Sequence, residues 1–423
     1  ADNWTAAIPE AHMQEILNTE YGGMNEVLYN LAAATANDHY AAVGDRFTKK
    51  WFFNPLALRR DELRGLHVNT HIPQVIGAAR RYEISGDMRF HDVADFFWYE
   101  VTTARTYVTG GTSNAELWRV EPRHLGEELK LSSNTNECCC AYNMLKLTRH
   151  LYQWTADPRY FDYYERTLYN HRLGAIDVEN GATQYYLSIV PGAWRTFSKE
   201  NDSFWCCTGT GVEEFSKLNS SIYFHDGDGL FVNLFIPSEA HWRKKGVTIR
   251  QETNFPESPS TALVIGTPSP VHIPVHLRVP YWVGRGAAVR INGKLLEATP
   301  SPASYLTIAR TWRDGDRVEM DLPMHLHSEA MPDEPTMQAV LYGPLVLAGK
   351  LGTDGLTEEM IVNHAGPDVA HHPVEVPTLR ASSGGPNSWL EPVPGEALTF
   401  RTKGQQRDIT LAPFNRLSRE RYS

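Results

Sequence analysis

The chain has 423 residues, 21% of them charged and 42% apolar, and a net charge of −10. That length accommodates two domains with separate cores, and an acidic balance without a basic run makes nucleic acid and anionic membranes poor partners. No apolar run approaches the ~20 residues that a membrane span needs, the start carries no basic-then-apolar signal, and the compartment is not written in the sequence.

Residues 1–235 read as helical. Met24, Val27, Leu28 and Leu31 follow helical spacing after Gly22-Gly23. A loose repeat then appears in Thr35-Ala36-Asn37-Asp38-His39-Tyr40, Ser85-Gly86-Asp87-Met88-Arg89-Phe90 and Thr155-Ala156-Asp157-Pro158-Arg159-Tyr160. A small or polar turn followed by an aromatic, set between amphipathic segments, predicts helical hairpins whose second helix is capped at Asp38, Asp87 or Asp157. Hairpins that stack on their neighbours suggest an α/α toroid. About eight helices are readable, short of the twelve that six hairpins require.

From about residue 236 the period becomes two. Val271, Ile273, Val275, Leu277 and Val279 alternate with His272, Pro274, His276 and Arg278, the pattern of a half-buried strand. Asn292-Gly293 marks a hairpin turn. Leu341 to Leu347 reads as a buried strand, and residues 351–395 as a Pro/Gly/Ser-rich surface excursion. The fold expected is therefore an α/α toroid over 1–235 followed by an antiparallel β-sandwich over 236–423.

All five cysteines fall in two runs, Cys138-Cys139-Cys140 and Cys206-Cys207. Thr135 or Asn136 is placed to cap a helix on which Cys140, Met144, Leu147, Leu151 and Trp154 share one face, so Cys140 reads as core. Glu137, Cys138 and Cys139 fall in the first turn, where free N–H groups favour anions and lower a thiol's pKa. Cys206-Cys207 follows Phe204-Trp205 and precedes Thr208-Gly209-Thr210-Gly211, an irregular turn leading into another helix. Two thiols from that turn, with a thiol and a carboxylate from a helix start, make an S3O set suited to Zn2+. Buried free thiols or a redox dithiol fit the same spacing. The 11 Trp, 19 Tyr and 16 Phe residues suit large cores, and equally flat platforms for sugar rings.

Glu137-Cys138-Cys139-Cys140-Ala141-Tyr142-Asn143-Met144-Leu145-Lys146-Leu147 resembles the E-x-C-x-x-YNMLKL motif of the β-L-arabinofuranosidase superfamily. Gly22-Gly23-Met24-Asn25-Glu26, His67-Val68-Asn69-Thr70-His71-Ile72-Pro73, Glu165 to His171, Phe204 to Cys207 and Leu341 to Leu345 are similar to further blocks, in the family's order. The resemblance implies a retaining exo-glycoside hydrolase that releases terminal β-L-arabinofuranose from plant glycans by means of a zinc-bound cysteine nucleophile. It implies Glu137, Cys139, Cys206 and Cys207 as zinc ligands, Cys206 as nucleophile, and Glu116 as acid/base with Glu121 as fallback. His67 matches a substrate-contacting histidine and Tyr186 a sugar-contacting tyrosine; Asn25, His171 and Trp205 complete the expected sugar contacts. The chain starts close to the Gly-Gly-Met-Asn-Glu block, so an incomplete barrel is expected. Rival readings are a non-catalytic carbohydrate-binding protein with a structural zinc site, and a toroid-type polysaccharide lyase or carboxylate-pair glycosidase.

Overall fold

In the computed structural model, which describes residues 2–363 and 366–423, helices fill the chain up to Lys217 and strands follow from Tyr223. The Val68–Ser85 helix packs against Met24–Thr35, Met88–Ala104 and Cys138–Thr155. The last of these also packs against Pro158–Thr167 and Cys206–Lys217. Ile72, Val75, Ile76 and Ala79 recur on one face of Val68–Ser85 and are fully buried, meeting Phe97, Leu147, Leu151 and Phe161 in one core. Burying a side chain of this kind contributes about 1.5–3 kcal/mol.

The repeated turns have one design. Each preceding helix ends on a left-handed residue, Ala36 (φ 52°), Gly86 (φ 71°) or Ala156 (φ 52°). The side chain of Asn37, Asp87 or Asp157 then accepts a hydrogen bond from the backbone N–H two residues on, replacing a missing intrahelical partner. In the first copy the cap is therefore Asn37 and not Asp38, which is already helical. The Cys138–Thr155 helix is likewise not capped by Thr135 or Asn136. Its N-cap is Glu137, which makes no side-chain capping bond, and Asn136 (φ 57°) instead donates to the Leu187 carbonyl.

A four-stranded and a six-stranded sheet face each other across a shared core that includes Val232, Val275, Leu277 and Trp312 on one side and Ile249, Leu263, Val289 and Met320 on the other. Asn292 (φ 50°) and Gly293 (φ 75°) form the hairpin between Ala288–Ile291 and Lys294–Leu295, the double left-handed turn that matches strand twist. A seven-stranded sheet built around Gln338–Tyr342 and Leu345–Gly352 completes the β-rich part. One residue breaks the period-two expectation: Arg278 is fully buried rather than outward-facing. It pairs with Asp162 and Glu165 of the Pro158–Thr167 helix, tying the helical layer to the first sheet.

Candidate active site

Glu116 comes from an unusually constrained turn. Ser113 (φ 92°), Ala115 (φ 44°) and Glu116 (φ 69°) all occupy the left-handed region, which costs non-glycine residues of order 1–3 kcal/mol each. Surrounding bonds impose it: Ala115 N–H to Asn134 O (2.7 Å), Val68 N–H to Glu116 O (2.8 Å) and Trp118 Nε1 to Thr112 Oγ1 (2.9 Å). Gly111 is required because a Cβ there would stand 2.4 Å from Asn136 Oδ1 and 2.5 Å from the His171 ring. The result turns the Glu116 carboxylate toward Tyr185, whose hydroxyl donates to it, and toward His67, whose Nε2 lies 3.5 Å away.

The two cysteine runs meet at two helix N-termini. Glu137 caps the Cys138–Thr155 helix and Trp205 caps Cys206–Lys217, so Cys139, Cys206 and Cys207 all lie in first turns, where the helix dipole favours negative charge. Cys139 Sγ and Cys207 Sγ are 3.2 Å apart. Cys206 Sγ is 4.0 Å from both Cys207 Sγ and Glu137 Oε1. Donors about 2.0–2.3 Å from a shared tetrahedral centre stand about 3.3–3.8 Å from one another, so the four donors, all within 4.8 Å of each other, form a set that can hold a metal ion. Glu137 also belongs to a second group of donors with His67 and Glu116, again within 4.8 Å, which places the Glu116 carboxylate beside the cluster.

Electrostatics single out one thiol. Hydrogen bonds from Cys139 and Cys207, with the Tyr185 hydroxyl close by, draw the Cys206 pKa down to about 3. Burial, reinforced by the charge on Cys206, pushes Glu137 up to about 8. Donating to Cys206 raises Cys139, and burial raises Cys207. One negative charge thus settles on Cys206, and a central cation would release the remaining protons, because only deprotonated groups ligate. Cys206 is also the sole exposed thiol; the other four are buried. Cys140 donates to Glu137 (3.4 Å) from within the helical core, and Cys138 is buried below the cluster.

The other expected residues divide. Trp205 is half-buried, its ring 5.7 Å from that of Tyr185 in an edge-on arrangement. Tyr186 is buried behind Tyr185, its backbone bridged to Glu137. Asn25 is buried between helices, donating to Gln74 O (2.9 Å), and His171 lies fully buried beneath Gly111 with Nε2 facing Asn136 O. Glu121 points away into an exposed ion pair with Arg64. Tyr185 is the site residue that the sequence reading passed over.

A helical domain that sets a metal-competent thiol–carboxylate cluster against a second carboxylate, with β-sheets behind it, is the architecture of one class of glycoside hydrolases. Residues 1–220 match the GH127 catalytic domain of β-L-arabinofuranosidases, residues 229–324 the GH127 middle domain, and residues 327–423 a domain of unknown function. The chain belongs to the GH127 β-L-arabinofuranosidase family. It is 23% identical over 299 residues to a non-reducing end β-L-arabinofuranosidase of Bifidobacterium longum, covering 64% of this chain and 43% of that protein. Among solved structures it is similar to a GH127 β-L-arabinofuranosidase from Geobacillus stearothermophilus T6 (TM-score 0.70, 19% identity, 94% of this chain and 70% of that one). A second, a GH127 β-arabinofuranosidase, gives a TM-score of 0.69 at 20% identity over 93% of this chain and 66% of its own.

Proposed function

We propose that the chain is a retaining exo-glycoside hydrolase that releases terminal β-L-arabinofuranose from plant glycans. The observation that carries this reading is the solvent-reachable Cys206 thiol within one donor set with Glu137, which itself adjoins Glu116. Cys206 attacks the anomeric carbon, and the glycosidic C–O bond breaks as Glu116 gives its proton to the leaving oxygen. Glu116 then takes a proton from water, whose oxygen displaces the Cys206 sulfur; two inversions at carbon give retention, as with the usual carboxylate pair. Tyr185 donates its hydroxyl proton to Glu116, and the same hydroxyl lies beside Cys206. Glu137, Cys139, Cys206 and Cys207 fit Zn2+, which when bound supplies the charge that keeps Cys206 ionised and makes it a better leaving group.

Four protein donors leave no open metal position, as in a structural site, so what favours the catalytic reading is that Cys206 alone among the three cysteine donors is exposed. The test is turnover of an aryl β-L-arabinofuranoside by zinc-loaded protein, with mass spectrometry of the acid-quenched enzyme. A pentosyl adduct on the Cys206 peptide, absent in Cys206→Ser, is expected. Turnover that survives in Cys206→Ser would move the reaction to a carboxylate pair.

A further inference from the structure

Among the described residues, Lys49 is a buried ammonium without a counter-ion. The residue is 1% exposed, and among the described residues no carboxylate lies within ion-pair distance of it. Its one polar partner is His71 Nε2, at 3.4 Å. The rings of Trp51 and Tyr21 flank the charge, with centroids 5.0 and 5.6 Å away. Both rings are themselves anchored, Trp51 Nε1 donating to Asn18 Oδ1 (2.7 Å) and Tyr21 OH to Phe47 O (2.9 Å). An unpaired buried cation is costly, and burial draws the Lys49 pKa down to about 8.

The hydrogen bonds beyond Lys49 fix two tautomers in turn. His71 Nδ1 faces the carbonyl of His67 at 2.7 Å. A carbonyl only accepts, so Nδ1 carries the proton and Nε2 offers its lone pair to Lys49. Burial keeps His71 neutral, drawing its pKa to about 4, with the charge of Lys49 adding to the effect. His67 caps its helix by accepting from Thr70 N–H through Nδ1 (3.3 Å), so its proton sits on Nε2, the atom 3.5 Å from Glu116 and 3.8 Å from Glu20.

We infer that Lys49 is a positioning residue: its ammonium locks His71, and through the His67 carbonyl the helix cap that aims the His67 N–H at Glu116. This rests on Glu116 acting as the acid/base. The groups facing His71 are Lys49 from the start of Lys50–Ala57, the Trp51 and Phe52 rings from the same helix, and His67 one turn before it; none of them is acidic.

The experiment compares Lys49→Met with Lys49→Gln and Lys49→Arg, both of which keep an N–H donor. Imidazole 15N NMR should show His71 as the Nδ1–H tautomer in wild type, Gln and Arg proteins. In Lys49→Met the Nε2 resonance should shift as its hydrogen bond is lost, and the titration should rise above its wild-type value. Misplacing a catalytic group by about 1 Å costs up to about 100-fold, so kcat on the arabinofuranoside should fall about 10- to 100-fold in Lys49→Met, with KM little changed and recovery in the Gln variant. An unchanged His71 spectrum in Lys49→Met, or equal losses in all three variants, would overturn the proposal. The spectra read Lys49 in an inactive protein too, so absence of arabinofuranosidase activity would instead count against the proposed function.

Discussion

The Tyr185 hydroxyl donates to the Glu116 carboxylate, and its phenol is held far above the usual range by burial and by that same carboxylate. The proton therefore stays on the tyrosine, and Glu116 is the acceptor. Removing only the oxygen, as in Tyr185→Phe, should lower kcat about 10- to 100-fold, the scale of an impaired general acid–base group. The ring and its contacts with Tyr186 and Trp205 remain, so the melting temperature should move little. Steady-state kinetics with a thermal melt decide it; a rise in KM at unchanged kcat would assign the hydroxyl to sugar binding.

Glu116 and Glu121 are five positions apart in sequence and play unlike parts in the structure. Glu116→Gln removes the transferable proton, so a substrate with a poor leaving group should lose about 100-fold or more, and an activated aryl glycoside much less. Glu121→Gln breaks only an exposed pair with Arg64, both side chains more than half exposed, and such pairs are worth ~0–1 kcal/mol of stability. It should be kinetically silent. Equal losses on both substrates in Glu116→Gln would remove it from the acid/base role.

The meeting of Glu137, Cys139, Cys206 and Cys207 was legible in the sequence, because clustered cysteines at two predicted helix starts restrict geometry strongly. What could not be read is parity. Tyr185 and Tyr186 are adjacent in an extended segment, successive side chains there point to opposite sides, and nothing local says which side faces Glu116. Burial of polar residues was hidden for a related reason. Asn25 and His171 look like sugar ligands by type, yet a tertiary contact closes over each one, Gly77 on Asn25 and Gly111 on His171. Arg278 sits in an alternating strand that predicts exposure, and only the facing helix, with Asp162 and Glu165, makes its burial affordable. The helix caps were nearly legible: the left-handed residue before each Asx, which sets where one helix ends, shifted the first cap to Asn37.

The metal set separates its members by burial. Cys139 and Cys207 are fully buried and 3.2 Å apart, whereas Cys206 reaches solvent. About one zinc per chain is expected by elemental analysis of the purified protein. Cys207→Ser should lose most of it, since the serine hydroxyl is a poor ligand in a site with no other access. Cys206→Ser should keep a weakened site but lose turnover. Chelation of the wild type should abolish activity and lower the melting temperature, because ligand binding to the native state stabilises by mass action. Near-zero zinc in a well-folded wild type would undo the assignment.

Glu100 gives a pH test away from the cluster. Burial, together with a hydrogen bond to Asp61 and that residue's charge, raises its pKa to about 7. A carboxyl with a raised folded-state pKa holds its proton more tightly in the native state. Its contribution to stability is therefore full below the ordinary value near 4.5 and is lost as pH rises through about 7. Glu100→Gln mimics the protonated form and should flatten that slope, gaining on the wild type at pH 8 and matching it at pH 4.5. Denaturation midpoints across this range report it; parallel pH curves would show that Glu100 is ionised in the fold.

The buried bridge between helical layer and sheet sets the final expectation. Arg278 donates through Nη1 to Asp162 Oδ1 (2.7 Å), through Nε to Asn233 O (2.7 Å), and to Glu165, which also accepts from Trp282 Nε1 (2.7 Å). Arg278 and Glu165 are at most 1% exposed. Such a pair offers little net stability over an apolar replacement, but removing one partner strands the other, at about 3–5 kcal/mol. Arg278→Met should therefore cost that much, a large fraction of the 5–15 kcal/mol typical of a domain. Because burial already raises the Glu165 pKa, the orphaned carboxyl should take up a proton, making the variant's deficit smaller at acid pH. Arg278→Met with Glu165→Gln should recover part of the loss, since the neutral amide still accepts from Trp282. Urea denaturation of the three proteins measures the coupling, and strictly additive losses would show that the two side chains do not stabilise one another across the layers.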